Sequence, residues 1–192
     1  MSITVEERAL RRFSLAEYAA MVRHGILTAD DRVELIAGEI VEMPPIGNPH
    51  KGGVTYLTQS FFGNLPRNAA TVMVQQGLAI FPDSMPQPDL ALLRFRADAY
   101  RSRHNEPGDV LLLVEVADAS LRYDRGTKRR LYAKAGVPEY WIVDLTGTVE
   151  VYREPRDEAY ASVRVAKGDD VVAPAAFPDC RLSVEEILGV RA

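Results

Sequence analysis

Apolar residues recur at helical spacing in four segments of the chain. The first segment follows Ser14, and Glu17 three positions later completes the sequence of a capping box. The last segment follows Ser183 in the same way. Gly25 and Gly136 suit the positions just beyond the C-terminal ends of two of these segments. The pattern therefore predicts helices over about 15–24, 50–65, 123–135 and 184–188.

Other segments alternate with period two or are continuously apolar, as β-strands are. The run 110–117 is apolar without alternation, so we expect it at the centre of a sheet. Further strands are predicted over 72–81, 89–95, 139–144, 148–152 and 160–165, the last two as an antiparallel meander. This order of elements predicts a mixed α/β (α+β) fold in which helices flank a central mixed sheet, within a single domain over 1–192.

Residues 33–43 have the sequence of a tight β-hairpin that precedes this sheet. If Ala37-Gly38 forms the loop, Ile36 lies opposite Glu39, and alternation places Glu34 and Glu39 on the same face. Two interpretations remain open for these glutamates. They are either exposed residues of an edge ribbon or acidic members of a site.

Size and charge narrow the function classes. The chain has 192 residues, a net charge of -4 and one cysteine, Cys180. A net negative charge gives no global basic field that would attract nucleic acid. The N-terminus lacks the pattern of a signal peptide, and no apolar run reaches the ~20 residues of a membrane span. We therefore expect a cytoplasmic protein without a membrane partner. A Gly-rich phosphate loop, a CxxC pair and an HExxH helix are all absent from the sequence.

Two carboxylates stand out in the predicted strands. Asp89 follows Pro88 at the start of one strand, and Glu115 lies inside the continuously apolar run. A buried carboxylate needs a cation, a set of donors or a raised pKa. If the two strands are neighbours, both carboxylates and the main-chain carbonyl of Val116 can reach one Mg²⁺, which prefers oxygen ligands. The alternatives are a capping role for Asp89 and a buried ion pair for Glu115.

The helix predicted after Glu115 adds a lysine. A helical wheel places Asp124 and Lys128 on its apolar face, where a lysine needs a partner. Lys128 either pairs with Asp124 at the i,i+4 spacing or points at the carboxylates. The wheel places three arginines toward solvent, where they form either a solvated face or a phosphate-binding surface: Arg122, Arg125 and Arg129.

These residues resemble the Uma family of putative restriction endonucleases, within the PD-(D/E)XK nuclease superfamily. The resemblance covers about 13–153. It rests on the following segments: the 34–41 hairpin, His50, Pro88-Asp89, Val114-Glu115-Val116, Asp124-x-x-x-Lys128 and the 132–144 segment, which begins with Tyr132-Ala133.

The resemblance implies that Asp89 and Glu115 bind Mg²⁺ or Mn²⁺ and that the protein hydrolyses phosphodiester bonds. The superfamily lysine, expected two positions after the glutamate, is here Ala117. Lys128 from the next helix is the candidate replacement. The resemblance adds Glu39, or less favourably Glu34, as a further acidic residue.

Three more residues are expected close to this site. Gln75 would line the same cleft, Asp124 would lie next to the carboxylates, and His50 is either a helix-opening surface residue or part of the site.

We expect a metal-dependent endonuclease that acts on DNA and forms a homodimer to cut two strands. The alternatives are a catalytically inactive nucleic-acid-binding or protein-interaction module and a hydrolase of non-nucleic phosphoesters.

Overall fold

The computed structural model describes residues 10–28 and 30–189. The helices are α1 (Leu15–Arg23), α2 (Asn48–Asn64), α3 (Leu121–Tyr123), α4 (Arg129–Lys134) and α5 (Val184–Leu188). The strands are β1 (Val33–Ile36), β2 (Glu39–Glu42), β3 (Ala70–Val74), β4 (Leu90–Arg94), β5 (Val110–Ala117), β6 (Glu139–Asp144), β7 (Thr148–Arg156), β8 (Ala159–Lys167), β9 (Val171–Val172) and β10 (Leu182–Ser183). No helix in the described ranges is long and apolar enough to cross a membrane.

Six of these strands form one mixed sheet in the order β3-β4-β5-β6-β7-β8. Only the β5–β6 pair is parallel within it. Strand β5 lies inside the sheet, as its continuous apolar pattern predicts, and every residue of it except Leu111 is buried. Because β4 and β5 are antiparallel with Leu90 opposite Val114, the start of β4 lies beside the end of β5. This register brings the residues around Asp89 and Glu115 together.

Helices cover both faces of the sheet. On one face, α2 and α5 pack against a core that includes Phe61, Leu112 and Trp141. The rings of Phe61 and Trp141 lie 6.5 Å apart. On the other face, Tyr132 of α4 packs against Tyr140 of β6 at a ring separation of 5.0 Å. Each fully buried side chain of this size contributes about 1.5–3 kcal/mol. The predicted α+β architecture is therefore confirmed.

The N-terminal helix and hairpin form a small layer at one end of the sheet. Ser14 and Glu17 form the predicted capping box of α1. The hairpin turns at Ala37-Gly38, and Ile36 lies opposite Glu39, as predicted. Leu15 and Tyr18 of α1 pack in one cluster with Leu35 of β1. A two-residue loop fixes the register of a hairpin, which explains why the sequence predicted it.

Two predicted elements differ from the structure. The strand expected over 72–81 ends at Val74, because Gln75 adopts a positive φ of 50° that breaks the extended conformation. The helix expected over 123–135 is interrupted: Asp124–Lys128 forms a π-helical segment between α3 and α4. In this segment the N–H of Arg129 donates to the carbonyl of Asp124, five residues earlier. Such π-helical insertions are frequent at functional sites.

The turn of the hairpin leaves no room for a side chain at Gly38. Gly38 has φ +80°, and an added Cβ would lie 2.5 Å from Cβ of Arg12. Gly25 has a similar φ of +70° and nothing within 4 Å of such an atom. We expect Gly38→Ala to lower the free energy of unfolding by about 1–3 kcal/mol more than Gly25→Ala, since only the first adds a clash to the same backbone cost. Urea unfolding of both variants measures this difference, and equal losses would contradict the packing of Arg12 on the turn.

Candidate active site

A pocket of about 730 Å³ opens where β4 begins and β5 ends. Strand β1, the start of α2 and the π-helical segment complete its walls. The predicted residues that line it are Glu34, His50, Gln75, Asp89, Glu115, Asp124 and Lys128. The structure therefore brings these seven residues together around one pocket, and the contacts among them form two groups.

Asp89 is the centre of the first group. Its Oδ2 accepts the main-chain N–H of Val116 at 2.9 Å and lies 3.0 Å from Nε2 of His50. Its Oδ1 accepts the side-chain amide of Gln75 at 3.2 Å. The positive φ of Gln75 directs the chain past Asp89, whose carbonyl accepts the Gln75 N–H. Asp89 is thus oriented by three neighbours that the sequence had placed at the site, although Val116 contributes its N–H here and not its carbonyl.

Lys128 is the centre of the second group. Its Nζ lies 3.0 Å from Oε1 of Glu115 and 3.2 Å from Oε2 of Glu34. The hydroxyl of Tyr132 donates to the same Glu115 oxygen at 2.9 Å. The N–H of Gln87 donates to the Glu34 oxygen at 3.1 Å. Lys128 therefore points at the carboxylate of Glu115, as one of the two sequence interpretations expected.

Burial and the charges of neighbouring groups together shift the pKa values of this second group. Burial raises the pKa of Glu115 well above its usual value, although the charge of Lys128 opposes the rise. Burial alone would lower the pKa of Lys128, but the carboxylates of Glu115, Glu34 and Asp124 outweigh it and raise that pKa. Burial also raises the pKa of Asp124. Lys128 consequently stays charged, and the neighbouring carboxylates repel one another in a way that a further cation would relieve.

Three buried polar atoms of the pocket-lining residues have no hydrogen-bond partner within the described part of the chain. They are Nδ1 of His50, the hydroxyl of Tyr123 and Oδ2 of Asp124. Asp124 is only 1% exposed, so its free oxygen has no access to bulk water that would compensate for the missing partner. An unsatisfied buried carboxylate oxygen at this point suits a ligand or cation that enters the pocket.

The oxygen atoms of the pocket suit Mg²⁺ or Mn²⁺ better than a metal ion that is bound entirely by protein side chains. Among residues 10–28 and 30–189, no group of three or more His, Cys, Asp or Glu residues is arranged to hold a metal ion. Mg²⁺ needs no such cage, since it is commonly bound by one or two carboxylates, waters and substrate phosphates. Asp89, Glu115 and the free oxygen of Asp124 supply this oxygen chemistry. The carbonyl of Val116 as a ligand stays a prediction, because the contact of Val116 with Asp89 is through its N–H.

Glu39 does not join these residues. Its carboxylate lies 2.8 Å from the guanidinium of Arg12, and its side chain is 55% exposed. The hairpin alternates as predicted, but Glu39 is next to the turn, whereas Glu34 is at the far end of β1 beside Lys128. The prediction that Glu39, in preference to Glu34, lies at the site is therefore wrong. Glu34 is the glutamate that lines the pocket.

The three arginines predicted to bind phosphates lie outside the pocket lining. Arg125 pairs with Glu150 at 2.7 Å and Asp144 at 2.9 Å, both on the sheet. The guanidinium of Arg129 lies 5.6 Å from the centre of the Tyr152 ring. Arg122 is exposed. Arg125 and Arg129 therefore attach the interrupted helix to the sheet and do not form a free phosphate-facing surface.

Arg125→Met should consequently reduce stability and leave nucleic-acid affinity unchanged. Asp144 and Glu150 are about 5% exposed each, so removal of their shared cation leaves two buried carboxylates short of a partner. We expect a loss of about 1–3 kcal/mol, with the partial exposure of Arg125 moderating the effect. Thermal melts and oligonucleotide binding measure the two quantities, with exposed Arg122→Met as the control. A clear loss of DNA affinity at unchanged stability would contradict this role.

Sequence reasoning assigned no role to Tyr132, Tyr123 or Gln87. Tyr132 follows Lys128 by four positions, and this helical spacing is the signal that places both on Glu115. Tyr123 immediately precedes Asp124, and its hydroxyl has no partner among residues 10–28 and 30–189. Gln87 contacts Glu34 through its main chain, which leaves no signature in the sequence.

Comparisons with known proteins place the chain in a family. A crystal structure from Anabaena variabilis, described as a putative nuclease belonging to DUF820, superposes with a TM-score of 0.72 and 18% identity. The match covers 92% of this chain and 98% of that one, and at this identity it shows a shared fold. A comparison with functionally curated proteins found no match. The family model Uma2, described as "Putative restriction endonuclease", matches residues 15–185, well beyond the expected end at 153. The chain therefore belongs to the Uma2 family of putative restriction endonucleases.

Proposed function

We propose that this protein is a metal-dependent endonuclease that hydrolyses phosphodiester bonds of DNA. One observation carries the proposal: a pocket lined by Asp89 also holds Lys128, whose ammonium is 3.0 Å from Glu115. Two carboxylates can hold a cation that activates water, and a lysine can donate hydrogen bonds to that water or to the phosphate, so this set of groups suits phosphodiester hydrolysis. Membership in the Uma2 family supports the same chemistry.

The neighbours of Asp89 prepare it as a ligand. The Val116 N–H, His50 and Gln75 fix the plane of the carboxylate, so little reorientation is needed when a ligand arrives. Asp89 and Glu115 would hold Mg²⁺ or Mn²⁺, with Asp124 near them. When bound, such an ion polarises the phosphate and lowers the pKa of water.

Lys128 would direct the attacking water or balance charge on the phosphate. An ammonium has three N–H donors, and Glu115 and Glu34 account for two of them. The third can bond the water or a phosphate oxygen. In the reaction the water oxygen forms a new bond to phosphorus, the bond from phosphorus to one sugar oxygen breaks, the water gives up a proton, and the leaving oxygen gains one. The products are a phosphate monoester end and a hydroxyl end.

Cleavage of labelled DNA tests the proposal. Purified protein should cut oligonucleotides in Mg²⁺ or Mn²⁺ and stop cutting in EDTA, with activity restored by added metal. Assays with matched RNA and with a non-nucleic phosphodiester such as bis(p-nitrophenyl) phosphate distinguish a nuclease specific for DNA from a hydrolase that acts on other phosphodiesters. Lack of metal-dependent cleavage across these substrates would contradict the proposal.

A binding module without catalysis is the second candidate. It is favoured by one observation, the placement of the lysine on the interrupted helix instead of at position 117, where this chain has alanine. Such a module would bind nucleic acid equally with and without metal. A melting temperature that rises on addition of Mn²⁺ in the parent and not in Asp89→Asn separates the enzyme from the module.

A further inference from the structure

The reactive groups lie deep in the pocket. Asp89 is 8% exposed, Glu115 is 4% exposed and Lys128 is 6% exposed. A phosphodiester must therefore enter the pocket before it can meet all three. The backbone of a paired duplex lies on the outside of a wide cylinder, so a nucleotide reaches such a depth only when it has left the base stack.

The charge of the pocket lining opposes a duplex as well. Seven acidic residues line the pocket, against two basic ones among the described residues, Arg32 and Lys128. Lys128 is already paired with Glu115 and Glu34. Duplex binding depends on several lysine or arginine contacts to successive phosphates. This lining can accommodate one phosphate near Lys128 and a bound cation, but not a row of phosphates.

One wall of the pocket is apolar and accessible. It is formed by α1, the loop after it, β2 and the segment that follows β2, through these residues: Val22, Leu27, Val41, Met43, Pro44 and Ile46. Val22 is 52% exposed. The volume of about 730 Å³ lies within the ~300–1,000 Å³ of small-ligand sites. Apolar side chains of this kind can pack against the flat face of an unstacked nucleobase.

Polar groups in the same pocket suit the edge of a base. The hydroxyl of Tyr123 and Nδ1 of His50 are buried without partners in the described chain. A base that is unpaired exposes its own donors and acceptors, and a snug pocket reads such a base by hydrogen bonds to that edge. The apolar wall and these two atoms thus complement the face and the edge of a single base.

We propose that the pocket admits one unstacked, unpaired nucleotide and that the substrate is single-stranded or locally unpaired DNA. This inference rests on the proposed nuclease function. It places the base against the wall formed by α1, β2 and the segment after β2. It places the adjoining phosphate next to Lys128, Asp89 and Glu115.

Three forms of one labelled sequence test the inference: a single strand, its paired duplex, and the duplex with a central mismatch bubble. We expect the single strand and the bubble to be cleaved at least roughly tenfold faster than the duplex, because duplex cleavage includes the cost of unstacking. A 2-aminopurine at the unpaired position reports entry into the pocket in EDTA, independently of cleavage. Its emission should change on binding of the single strand and not of the duplex.

A pair of variants locates the effect. Val22→Glu places a charge on the apolar wall at a half-exposed position of α1, where glutamate is a good helix former. Ile26→Glu makes the same kind of change at a 69% exposed residue outside the pocket lining. We expect Val22→Glu to weaken single-strand binding and cleavage by roughly tenfold through loss of apolar contact with the base, and Ile26→Glu to have less than about a twofold effect.

The outcomes separate the two proposals. Equal cleavage of duplex and single strand, or equal effects of the two variants, would overturn the inference and leave the nuclease function standing. Absence of cleavage of every form would overturn the proposed function. In that case the 2-aminopurine signal still decides the ligand: a single-strand signal reduced only by Val22→Glu supports the pocket assignment, and its absence overturns it.

Discussion

Asp89→Asn is expected to reduce metal-dependent cleavage by roughly 10²–10³-fold while the protein stays folded. The substitution removes one negative charge and preserves the shape of the side chain. The asparagine oxygen can still accept from Val116 N–H, and its amide can face Gln75, whose own amide can turn to accept. The loss would therefore report on charge at the metal-binding position and not on a collapsed site.

Asp118→Asn is the matched control for Asp89→Asn. Asp118 also lines the pocket, but it is exposed. We expect this variant to retain activity within about threefold, since an exposed carboxylate interacts with its surroundings through water. Steady-state cleavage rates and circular dichroism of both variants test the prediction. Full activity in Asp89→Asn would remove Asp89 from the site.

Lys128→Met is expected to abolish cleavage and to lower the free energy of unfolding by about 3–5 kcal/mol. The change removes the ammonium that lies between Glu115 and Glu34, both of which are buried. Removal of one partner of a buried ion pair leaves the other charges uncompensated. Urea unfolding and cleavage assays measure the two effects.

The double variant Glu115→Gln/Lys128→Met separates stability from catalysis. Neutral glutamine in place of the glutamate removes the uncompensated charge beside the methionine, so a large part of the lost stability should return. Cleavage should stay absent because the carboxylate and the ammonium are both gone. If the single variant lost less than about 1 kcal/mol, the contacts of Lys128 would not be the buried pairs described here.

The features that the sequence predicted correctly depend on local rules. The capping box at Ser14 and the two-residue turn at Ala37-Gly38 involve neighbours in the chain, and both are confirmed. The continuous apolar run of β5 predicted an interior strand, because both faces of such a strand are covered. That interior strand and the antiparallel β4 account for the meeting of the Asp89 and Glu115 segments.

The features that the sequence missed depend on distant contacts. A helical wheel assumes uniform α-helix, so it could not show the π-helical segment that ends at Lys128. Arg125 was predicted to bind phosphate. It instead pairs with carboxylates 19 and 25 positions away, and these contacts hold the interrupted helix on the sheet. Glu34 and Glu39 share a hairpin face, and only the packing of the hairpin decides which one is buried. The positive φ of Gln75 could likewise not be predicted from the residue type, since glutamine rarely adopts such an angle.

Calorimetric titration of Mn²⁺ tests the metal site most directly. The comparison is between the parent protein and the double variant Asp89→Asn/Glu115→Gln, and circular dichroism checks that both are folded. A short non-cleavable DNA strand is present so that its phosphates can complete the coordination of the metal ion. Saturable binding of Mn²⁺ by the parent and loss of that binding in the variant are the results we predict. Equal binding by both proteins, or binding by neither, would contradict a metal-dependent site at Asp89 and Glu115.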